Sequence, residues 1–561
     1  MTASPVAPNP ALVTQRGAER LPRLALLLFC AAYVLPGLFG RDPWKSADIT
    51  AFGYMLGIAE GRTGWLAPTV GGLPADAALL PYWLGAAAIR LGAGWLDPAL
   101  AARLPFALLL VLALVLTWYA TYHLARTDAA QPLAFAFGGE ANPVEYARAI
   151  ADGALLALIA SLGLLQLGHE TTPELAQLAS VALYVYALAA SPFRGIQPRL
   201  AALVSLPALA ASGAPSVALA LAVLGGIVCL RSRHESVRPF ALWIAAAAIL
   251  AAITATLLGA WQWRIGSVDP IDSIADLVAL VRQAAWFTWP AWPLAVWTLW
   301  RWRRQLTHRH ISIPLVCTLV SVLTWLAMGG SDRALMLALP PLAVLAAFAL
   351  PTLHRSTAAA IDWFSVFFFS AAALVFWAVY VSMHTGVPAQ PARNIARLAP
   401  GYVPSFSVLA LIVAAAATLA WLWLVQWRTG RSRHPLWKSL VLPASGVALC
   451  WLLATTLLLP PLNHARSYRS LIQRVGLLMP RGGCVAAPGV PRAQVVALEY
   501  FGGYQVDAVT PAGRSACSHL LQMETRQTPS QPGAGWQLLG REVRNTSEDE
   551  ITAIYRRTAQ P

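Results

Sequence analysis

The sequence predicts an all-α polytopic membrane protein with about thirteen transmembrane helices and a small C-terminal α/β domain. Of its 561 residues, 58% are hydrophobic and 12% are charged, and the mean hydropathy is +0.58. A soluble domain of ordinary composition has roughly 25% charged residues. Apolar runs of about 17 to 25 residues, which are long enough to cross a bilayer, recur as far as Pro460. After Pro460 the composition becomes that of a soluble domain.

Most of the predicted spans are uninterrupted apolar runs with polar or arginine-rich ends. They are Leu24 to Gly40, Leu104 to Leu124, Ala151 to Gly168, Leu175 to Ala190, Pro215 to Leu230, Phe240 to Ala260, Ala284 to Trp300, Ile313 to Met328, Ala334 to Leu350, Ile361 to Ser382, Pro404 to Gln426 and Ser439 to Pro460. A shorter run, Leu200 to Ala211, completes the count of about thirteen.

One polar segment, Ala129 to Ile150, interrupts this pattern. Its glycines, prolines and charged residues make it too polar for a lipid-facing helix, although a broken helix that lines a cavity is compatible with them. If this segment spans the membrane, one later segment does not. The side of the membrane on which Asp152 lies depends on this alternative.

The charge distribution predicts the orientation of the chain. The formal net charge of +15 comes almost wholly from arginine, because Lys45 and Lys438 are the only lysines. Arginine-rich loops at 231–238, 301–310 and 427–438 are therefore predicted to face the cytoplasm. The pattern indicates membrane orientation rather than nucleic-acid binding.

The arginine distribution also predicts the side of the membrane on which each end of the chain lies. The N-terminal segment carries arginines before the first apolar run and shows no convincing cleavage site, so we expect a cytoplasmic N-terminus and an uncleaved first span. The predicted domains are a transmembrane domain, 1–460, whose first loop at 41–103 is periplasmic, and a soluble periplasmic α/β domain, 461–561. The expected location is the inner membrane of a bacterium.

The C-terminal domain carries strand and helix patterns. Segments 485–490, 504–510, 536–544 and 551–557 are predicted strands, and 493–503 is a predicted helix that ends at a glycine pair. Cys484 and Cys517 are the only cysteines of this domain. In an oxidising compartment such a pair favours a disulfide over two free thiols.

The first loop contains two predicted interfacial helices, Ile49 to Glu60 and Ala77 to Leu91, joined by turn-forming residues. The loop places Asp48 with Thr50, then Gly64-Trp65 with Pro68, then Asp76 and Pro81-Tyr82-Trp83. In this order and approximate spacing it resembles the GT-C glycosyltransferases of the bacterial aminoarabinose transferase and protein mannosyltransferase type. The resemblance continues through "IADGALLALIASLGLL", at Asp152, and "SDRALMLALPPLAVLAA", at Arg333, and so covers nearly the whole chain.

The resemblance implies an inverting glycosyltransferase at the periplasmic face. Its donor would be a sugar linked to a polyprenyl phosphate of the undecaprenyl type, and its acceptor lipid A, another envelope glycan or a protein. Such a reaction needs a carboxylate that takes the proton of the acceptor and a cation that stabilises the departing phosphate. Asp48 is the candidate base and Asp152 a second catalytic acid. The candidate substrate-binding residues are Asp76, Lys45, Arg62, Arg333 and Tyr82.

Each candidate also has a structural explanation. Asp48 and Asp76 precede or open predicted helices and could serve only as caps. Asp152, within an apolar run, must be paired or line a cavity. Arg333 could extend its head group from the end of a span toward the interface. No metal or other cofactor is predicted, because His384 and His464 have no partner at metal-ligand spacing.

Several departures from the family pattern support an alternative function. Ile49 replaces a second acid, Ala77 and Ala78 replace a lysine and a proline, and Ser212 replaces a further lysine. Loss of two cations weakens the expected contacts with the donor phosphate. The alternative is a non-catalytic relative that binds or moves polyprenyl-phosphate lipids.

Overall fold

The structure is a computed structural model of the chain. It describes residues 9–44, 46–76, 78–232, 234–261, 273–429, 435–525, 532–533, 535–544 and 550–558. The chain divides into two compact units. The first comprises Met1–Pro36, Phe106–Leu374 and Val413–Leu453, and the second comprises Gly37–Pro105, Val375–Ile412 and Ala454–Pro561.

The helices of the first unit, including four that continue into the second, are mostly long and apolar. They are α1 (Arg23–Val34), α4 (Pro98–Ala125), α5 (Pro143–Ala160), α6 (Leu164–Leu167), α7 (Pro173–Ala190), α8 (Ile196–Ala211), α9 (Pro215–Leu230), α10 (Phe240–Leu257), α11 (Ile274–Phe287), α12 (Ala291–Arg301), α13 (Arg309–Ala327), α14 (Asp332–Leu335), α15 (Leu339–Ala347), α16 (Arg355–Thr385), α18 (Val408–Thr429) and α19 (Lys438–Thr456).

Small residues allow the central helices of this unit to pack closely. Helix α5 lies against α15 and is buried along almost its whole length. At Gly153 of α5, a Cβ atom would come within 2.3 Å of Leu350 Cδ1. Close approach of helix backbones at small residues is how apolar helices associate where lipid surrounds them.

Eight helices in the described part of the chain are long and apolar enough to cross a membrane. They lie at Pro98–Ala125, Pro173–Ala190, Glu235–Leu257, Arg309–Ala327, Asp332–Thr352, Arg355–Thr385, Val408–Arg428 and Lys438–Thr456. Further apolar helices, such as α1, α8 and α9, have 12 to 16 residues. The chain is thus a helical membrane protein, and the count of thirteen spans stays a prediction.

Two predicted spans have different bounds in the structure. Helix α1 ends at Val34 and not at Gly40, because a turn begins at Leu35 and Gly37 adopts a positive φ. The predicted run from Ala284 to Trp300 is divided between α11 and α12. Pro290 lies at this break, where its ring and missing N–H prevent a continuous helix.

The polar segment at 129–150 does not form a spanning helix. Residues 131–142 lie in an extended loop beside residues 11–15, and the Gln15 N–H donates to the Gly139 carbonyl at 3.1 Å. Helix α5 then begins at Pro143. The Asn142 side chain caps it by accepting from the Val144 N–H at 3.0 Å.

The second unit contains short helices and two sheets. Its helices are α2 (Ala47–Ala59), α3 (Leu79–Leu91), α17 (Ala389–Leu398), α20 (Leu459–Arg466), α21 (Arg469–Leu478) and α22 (Arg492–Gly502). Its strands are β1 (Thr69–Val70), β2 (Leu73–Pro74), β3 (Cys484–Ala486), β4 (Gln505–Asp507), β5 (His519–Glu524), β6 (Trp536–Val543) and β7 (Ile551–Arg557).

The larger sheet has the strand order β4-β3-β5-β7-β6. Strand β3 pairs in parallel with β4 and β5, whereas β7 pairs antiparallel with β5 and β6. A disulfide joins Cys484 and Cys517, whose Cα atoms are 4.9 Å apart. Its sulfur atoms lie next to a small core that includes Leu520 and Tyr555.

Strand β5 is missing from the sequence prediction. Its residues, His-Leu-Leu-Gln-Met-Glu, include several good helix formers and no β-branched side chain. Pairing with β3 on one side and β7 on the other makes this segment the centre of the sheet.

Candidate functional site

Asp48 lies in the first turn of α2 and is buried, with 1% of its side chain exposed. Its Oδ2 atom accepts a hydrogen bond from the Trp44 N–H at 3.0 Å and lies 3.7 Å from Arg41 Nη2. The N-cap residue of α2 is Ser46. Asp48 therefore binds the backbone that leads into the helix and is not the cap residue itself.

Three arginine side chains lie near this carboxylate or near its neighbour Trp44. Arg41 has a fully buried side chain, and its guanidinium carbon lies 5.0 Å from the centre of the Trp44 ring. Arg466 contacts the same ring at 5.1 Å. Arg103, which is 4% exposed, donates through Nη1 to the Leu38 carbonyl at 3.4 Å. Among the described residues, Arg103 Nη2 has no hydrogen-bond partner.

These residues form what we call the Asp48 cluster: Arg41, Trp44, Asp48, Arg103 and Arg466. The cluster contains three guanidinium groups and one carboxylate, and two further carboxylates, Asp42 and Asp97, act electrostatically on Arg103. A buried charged group is costly unless its hydrogen-bonding capacity is used. Arg103 Nη2, a buried donor with no hydrogen-bond partner among the described residues, is the group of the cluster that suits an anionic ligand.

The loop that carries the cluster is held by residues after the last apolar helix. Asn463 Oδ1 accepts from Trp44 Nε1 at 3.0 Å, and Asn463 Nδ2 donates to the Gly40 carbonyl at 2.8 Å. Arg469 donates to both oxygens of Asp42, at 2.9 and 2.6 Å. The sequence analysis did not select the arginines of this region or Asn463 as site residues. The arginines are Arg41, Arg103, Arg466 and Arg469. The only local signal was the polar sequence NHARSYR after an apolar run.

Two predicted substrate-binding residues of the first loop, Arg62 and Asp76, form ion pairs within the second unit. Arg62 pairs with Glu60 and with Glu499 of α22, the latter at 2.8 Å, and Asp76 pairs with Arg492 of α22 at 3.2 Å. Burial lowers the pKa of Arg62, but hydrogen bonds with the two glutamates outweigh burial and raise that pKa above its ordinary value. These contacts connect the first loop to the C-terminal domain.

Tyr82 of α3 is buried against α2. Its ring centre lies 5.3 Å from that of Tyr54, whose hydroxyl donates to the Pro74 carbonyl at 3.1 Å. Lys45 and Ala77 lie outside the described residues. Ser212 is buried at the end of α8, and its carbonyl accepts a hydrogen bond from Gln177 at 2.6 Å.

Asp152 lies in the first unit and has its partners there. Its Oδ2 accepts from the Leu21 N–H at 2.9 Å, and its Oδ1 accepts from Trp118 Nε1 at 2.8 Å. Leu21 lies two residues before α1, whereas Asp48 follows that helix in the chain. The predicted catalytic role of Asp152 stays a prediction.

Arg333 pairs with a carboxylate that the sequence analysis did not single out. Its Nη2 atom lies 2.5 Å from Glu170 Oε2, and Gln166 Nε2 donates to Glu170 Oε1 at 2.8 Å. Glu170 is completely buried. The neighbouring His169 has one ring nitrogen 2.7 Å from the Leu165 carbonyl oxygen and the other 2.9 Å from the Tyr33 carbonyl oxygen. A signal was present, since Glu170 is an acid between two apolar runs.

The described residues include no group of three or more His, Cys, Asp or Glu side chains that could hold a metal ion.

Comparison with solved structures gives clear matches. Two crystal structures of ArnT from Cupriavidus metallidurans, one bound to undecaprenyl phosphate and one in the apo state, match with TM-scores of 0.59. Sequence identities are 13% and 14%, and each match covers 95% of this chain and 96% of the other. No protein-family model matches the sequence, and no curated protein matches it. The chain therefore has an ArnT-like fold.

Proposed function

We propose that the protein transfers a sugar from a polyprenyl-phosphate donor to an acceptor of the bacterial cell envelope, such as lipid A, a glycan or a protein. The observation that carries the proposal is the Asp48 cluster, in which a buried carboxylate lies 3.7 Å from Arg41 and interacts electrostatically with the buried Arg103. The fold supports it, because one ArnT structure with this fold is bound to undecaprenyl phosphate.

In this proposal Asp48 is the general base. It takes the proton from an acceptor hydroxyl as the hydroxyl oxygen attacks the anomeric carbon from the face opposite the phosphate. The new carbon–oxygen bond forms while the bond from that carbon to the phosphate oxygen breaks. Polyprenyl phosphate leaves with the bonding electron pair, and the anomeric configuration inverts. A positioned base of this kind contributes roughly 10² to 10⁴ in rate.

Arg41 and Arg103 bind the donor phosphate in this proposal. A guanidinium offers two parallel N–H donors to two phosphate oxygens, which a lysine cannot do. Arg103 Nη2, which is buried and lacks a hydrogen-bond partner in the described part of the chain, is the donor available for this contact. The two arginines would thereby replace the lysines that the family has and this chain lacks at Ala77 and Ser212.

The other predicted residues have no direct step in the mechanism. Both oxygens of Asp152 already accept hydrogen bonds. Arg62 and Asp76 connect the first loop to α22, and Tyr82 packs on α2. In the proposal Arg62, Asp76 and Tyr82 keep the loop that carries Asp48 in place.

The proposed topology follows from the arginine distribution. The N-terminus and the arginine-rich loops face the cytoplasm, and the first loop and residues after Pro460 face the periplasm. Transfer would then take place at the periplasmic face of the inner membrane. A cysteine introduced at Gly72, which is in the turn between β1 and β2, should react with an impermeant thiol reagent added to intact cells. Protection of that cysteine would contradict the topology.

The decisive experiment measures transfer by the purified protein in liposomes from a polyprenyl-phosphate-linked sugar. Arg103→Gln should weaken donor use roughly tenfold to a hundredfold, because one hydrogen bond to a charged group contributes about 1.5 to 3 kcal/mol. The control is Arg199→Gln, which removes an exposed arginine that stacks on Trp243. Arg199→Gln should leave transfer unchanged.

Two results would contradict the proposal. Equal transfer by both variants would exclude Arg103 from donor binding. Arg103-dependent binding of the donor without transfer to any envelope acceptor would favour the non-catalytic alternative, a protein that binds or moves polyprenyl-phosphate lipids.

A further inference from the structure

A cavity with charged and apolar walls lies within the first unit. It has a volume of about 520 Å³ and lies where α1 and α5 begin and where α4 and α7 end. Arg20, Arg23, Arg148 and Arg194 line it, together with the single carboxylate of Asp152. The cavity shares no residue with the Asp48 cluster.

The charges of this cavity favour an anionic ligand. Four guanidinium groups face one carboxylate, which leaves three positive charges uncompensated among the lining side chains. Asp152 accounts for one negative charge and interacts electrostatically with Arg148 and Arg20, while its oxygens accept hydrogen bonds from the Leu21 N–H and from the Trp118 indole. These two hydrogen bonds fix the backbone that leads into α1 and the indole of Trp118, which lines the cavity. Guanidinium groups presented together in this way fit phosphate oxygens.

The rest of the cavity is suited to a hydrocarbon chain. Leu27 of α1 and Val115 of α4 line it and are nevertheless 65% and 43% exposed, so the apolar wall continues onto the outer surface of both helices. In a membrane protein this surface contacts lipid. Tyr119 and Tyr122 lie at the arginine-rich end, and the Tyr122 ring stacks on Trp118 with centres 5.5 Å apart. Such rings are enriched at the level of lipid head groups.

We propose that this cavity binds one anionic phospholipid of the leaflet that faces the N-terminus. The lipid phosphate lies among the four arginines, and an acyl chain runs along Leu27 and Val115. Asp152 is a positioning residue in this site, since it holds Leu21 and Trp118 in place. The inference is independent of the proposed transferase activity, because it concerns a lipid that is neither donor nor acceptor.

The test uses the full-length protein, delipidated in detergent and returned to nanodiscs or mixed micelles. Probes are phosphatidylglycerol, phosphatidylcholine and inorganic phosphate. Native mass spectrometry counts retained lipids, and thermal unfolding measures the stabilisation that each probe gives. The unmutated protein should retain one phosphatidylglycerol and unfold at a higher temperature with it than with phosphatidylcholine.

Variants locate the site. Arg148→Gln combined with Arg194→Gln should weaken phosphatidylglycerol binding at least about tenfold, because two charge-assisted contacts are lost. The matched control is Arg304→Gln, an exposed arginine outside the cavity. It should bind lipid as the unmutated protein does. If the double variant is poorly folded, the single variant Arg194→Gln serves, since Arg194 is an exposed turn residue.

Three outcomes would overturn the proposal. The first is equal retention of phosphatidylglycerol and phosphatidylcholine, which would show that the arginines do not select charge. The second is unchanged phosphatidylglycerol binding by the Arg148→Gln/Arg194→Gln double variant and by Arg194→Gln alone. The third is equal stabilisation by inorganic phosphate at the same concentration, which would show that the apolar wall contributes nothing and that the ligand is a free anion.

Discussion

Asp48→Asn is the substitution that tests the proposed mechanism most directly. Asparagine has nearly the same size, and its amide oxygen can still accept the hydrogen bond that the Trp44 N–H now makes at 3.0 Å. What disappears is the negative charge 3.7 Å from Arg41. The variant thus removes the proton acceptor while keeping the local backbone contact.

The expected loss of transfer is roughly 10² to 10⁴, which corresponds to about 2.7 to 5.4 kcal/mol in the activation barrier. Stability should also fall, because Arg41 has a fully buried side chain and would lose its carboxylate. Breaking a buried pair costs about 3 to 5 kcal/mol, and the long 3.7 Å separation places Asp48 toward the lower end. Thermal unfolding must therefore be measured on the same samples.

The assay follows sugar transfer from a polyprenyl-phosphate donor in liposomes and determines kcat and KM separately. A missing base lowers kcat at unchanged KM, whereas displacement of Arg41 alone would mainly raise the KM for the donor. Asp97→Asn is the matched control. Asp97 accepts hydrogen bonds from two N–H groups at the start of α4, at 2.9 and 3.2 Å, and asparagine caps helices equally well.

Normal kcat in a folded Asp48→Asn protein would refute the reasoning. A loss no larger than the unfolded fraction of the sample would refute it as well.

Two further predictions concern the second unit. Gly53→Ala should destabilise it by about 1 to 3 kcal/mol, because the new Cβ would lie 2.2 Å from Val496 Cγ2 and overpack α2 against α22. A lower unfolding temperature and faster proteolysis in detergent would show this effect. Replacing Cys484 and Cys517 by alanine should cost about 2 to 5 kcal/mol and expose the C-terminal domain to protease, while the transmembrane helices stay folded.

Each of these predictions has a control. Gly226→Ala in α9 adds a Cβ with no atom within 4 Å, and alanine favours a helix by roughly 1 kcal/mol, so this variant should be at least as stable as the unmutated protein. Equal destabilisation by both glycine variants would contradict the packing argument. For the cysteines, two reactive thiols in the oxidised, unmutated domain would show that the bridge is absent.

Much of the architecture could be predicted from local properties of the sequence. The apolar runs indicated a helical membrane protein. The first-loop helices were predicted close to their observed bounds, Ala47–Ala59 and Leu79–Leu91, and so was α22. These features depend on hydrophobic periodicity and helix-ending glycines within short windows, which the neighbours of a residue in sequence largely determine. The resemblance to aminoarabinose transferases was predicted from short motifs of the first loop and of two later segments, which occur in the same order as in that family.

Local properties were insufficient where distant segments decide the structure. Strand β5 has helix-forming residues but pairs with β3 and β7. The segment 129–150 is long enough to span a membrane, but its residues 131–142 form a loop that is hydrogen-bonded to the N-terminal segment.

The composition of the candidate site was likewise decided only by the tertiary structure. The sequence by itself singled out Asp48 and Arg333 as candidates, but it could not pair Trp44 with Asn463, 419 residues away, or Arg333 with Glu170, 163 residues away. A buried polar side chain must find a partner of complementary charge or hydrogen-bonding capacity, and helix packing determines which partner is near. Local sequence therefore determined where polar groups enter the apolar chain, whereas long-range packing decided which of them form a cluster.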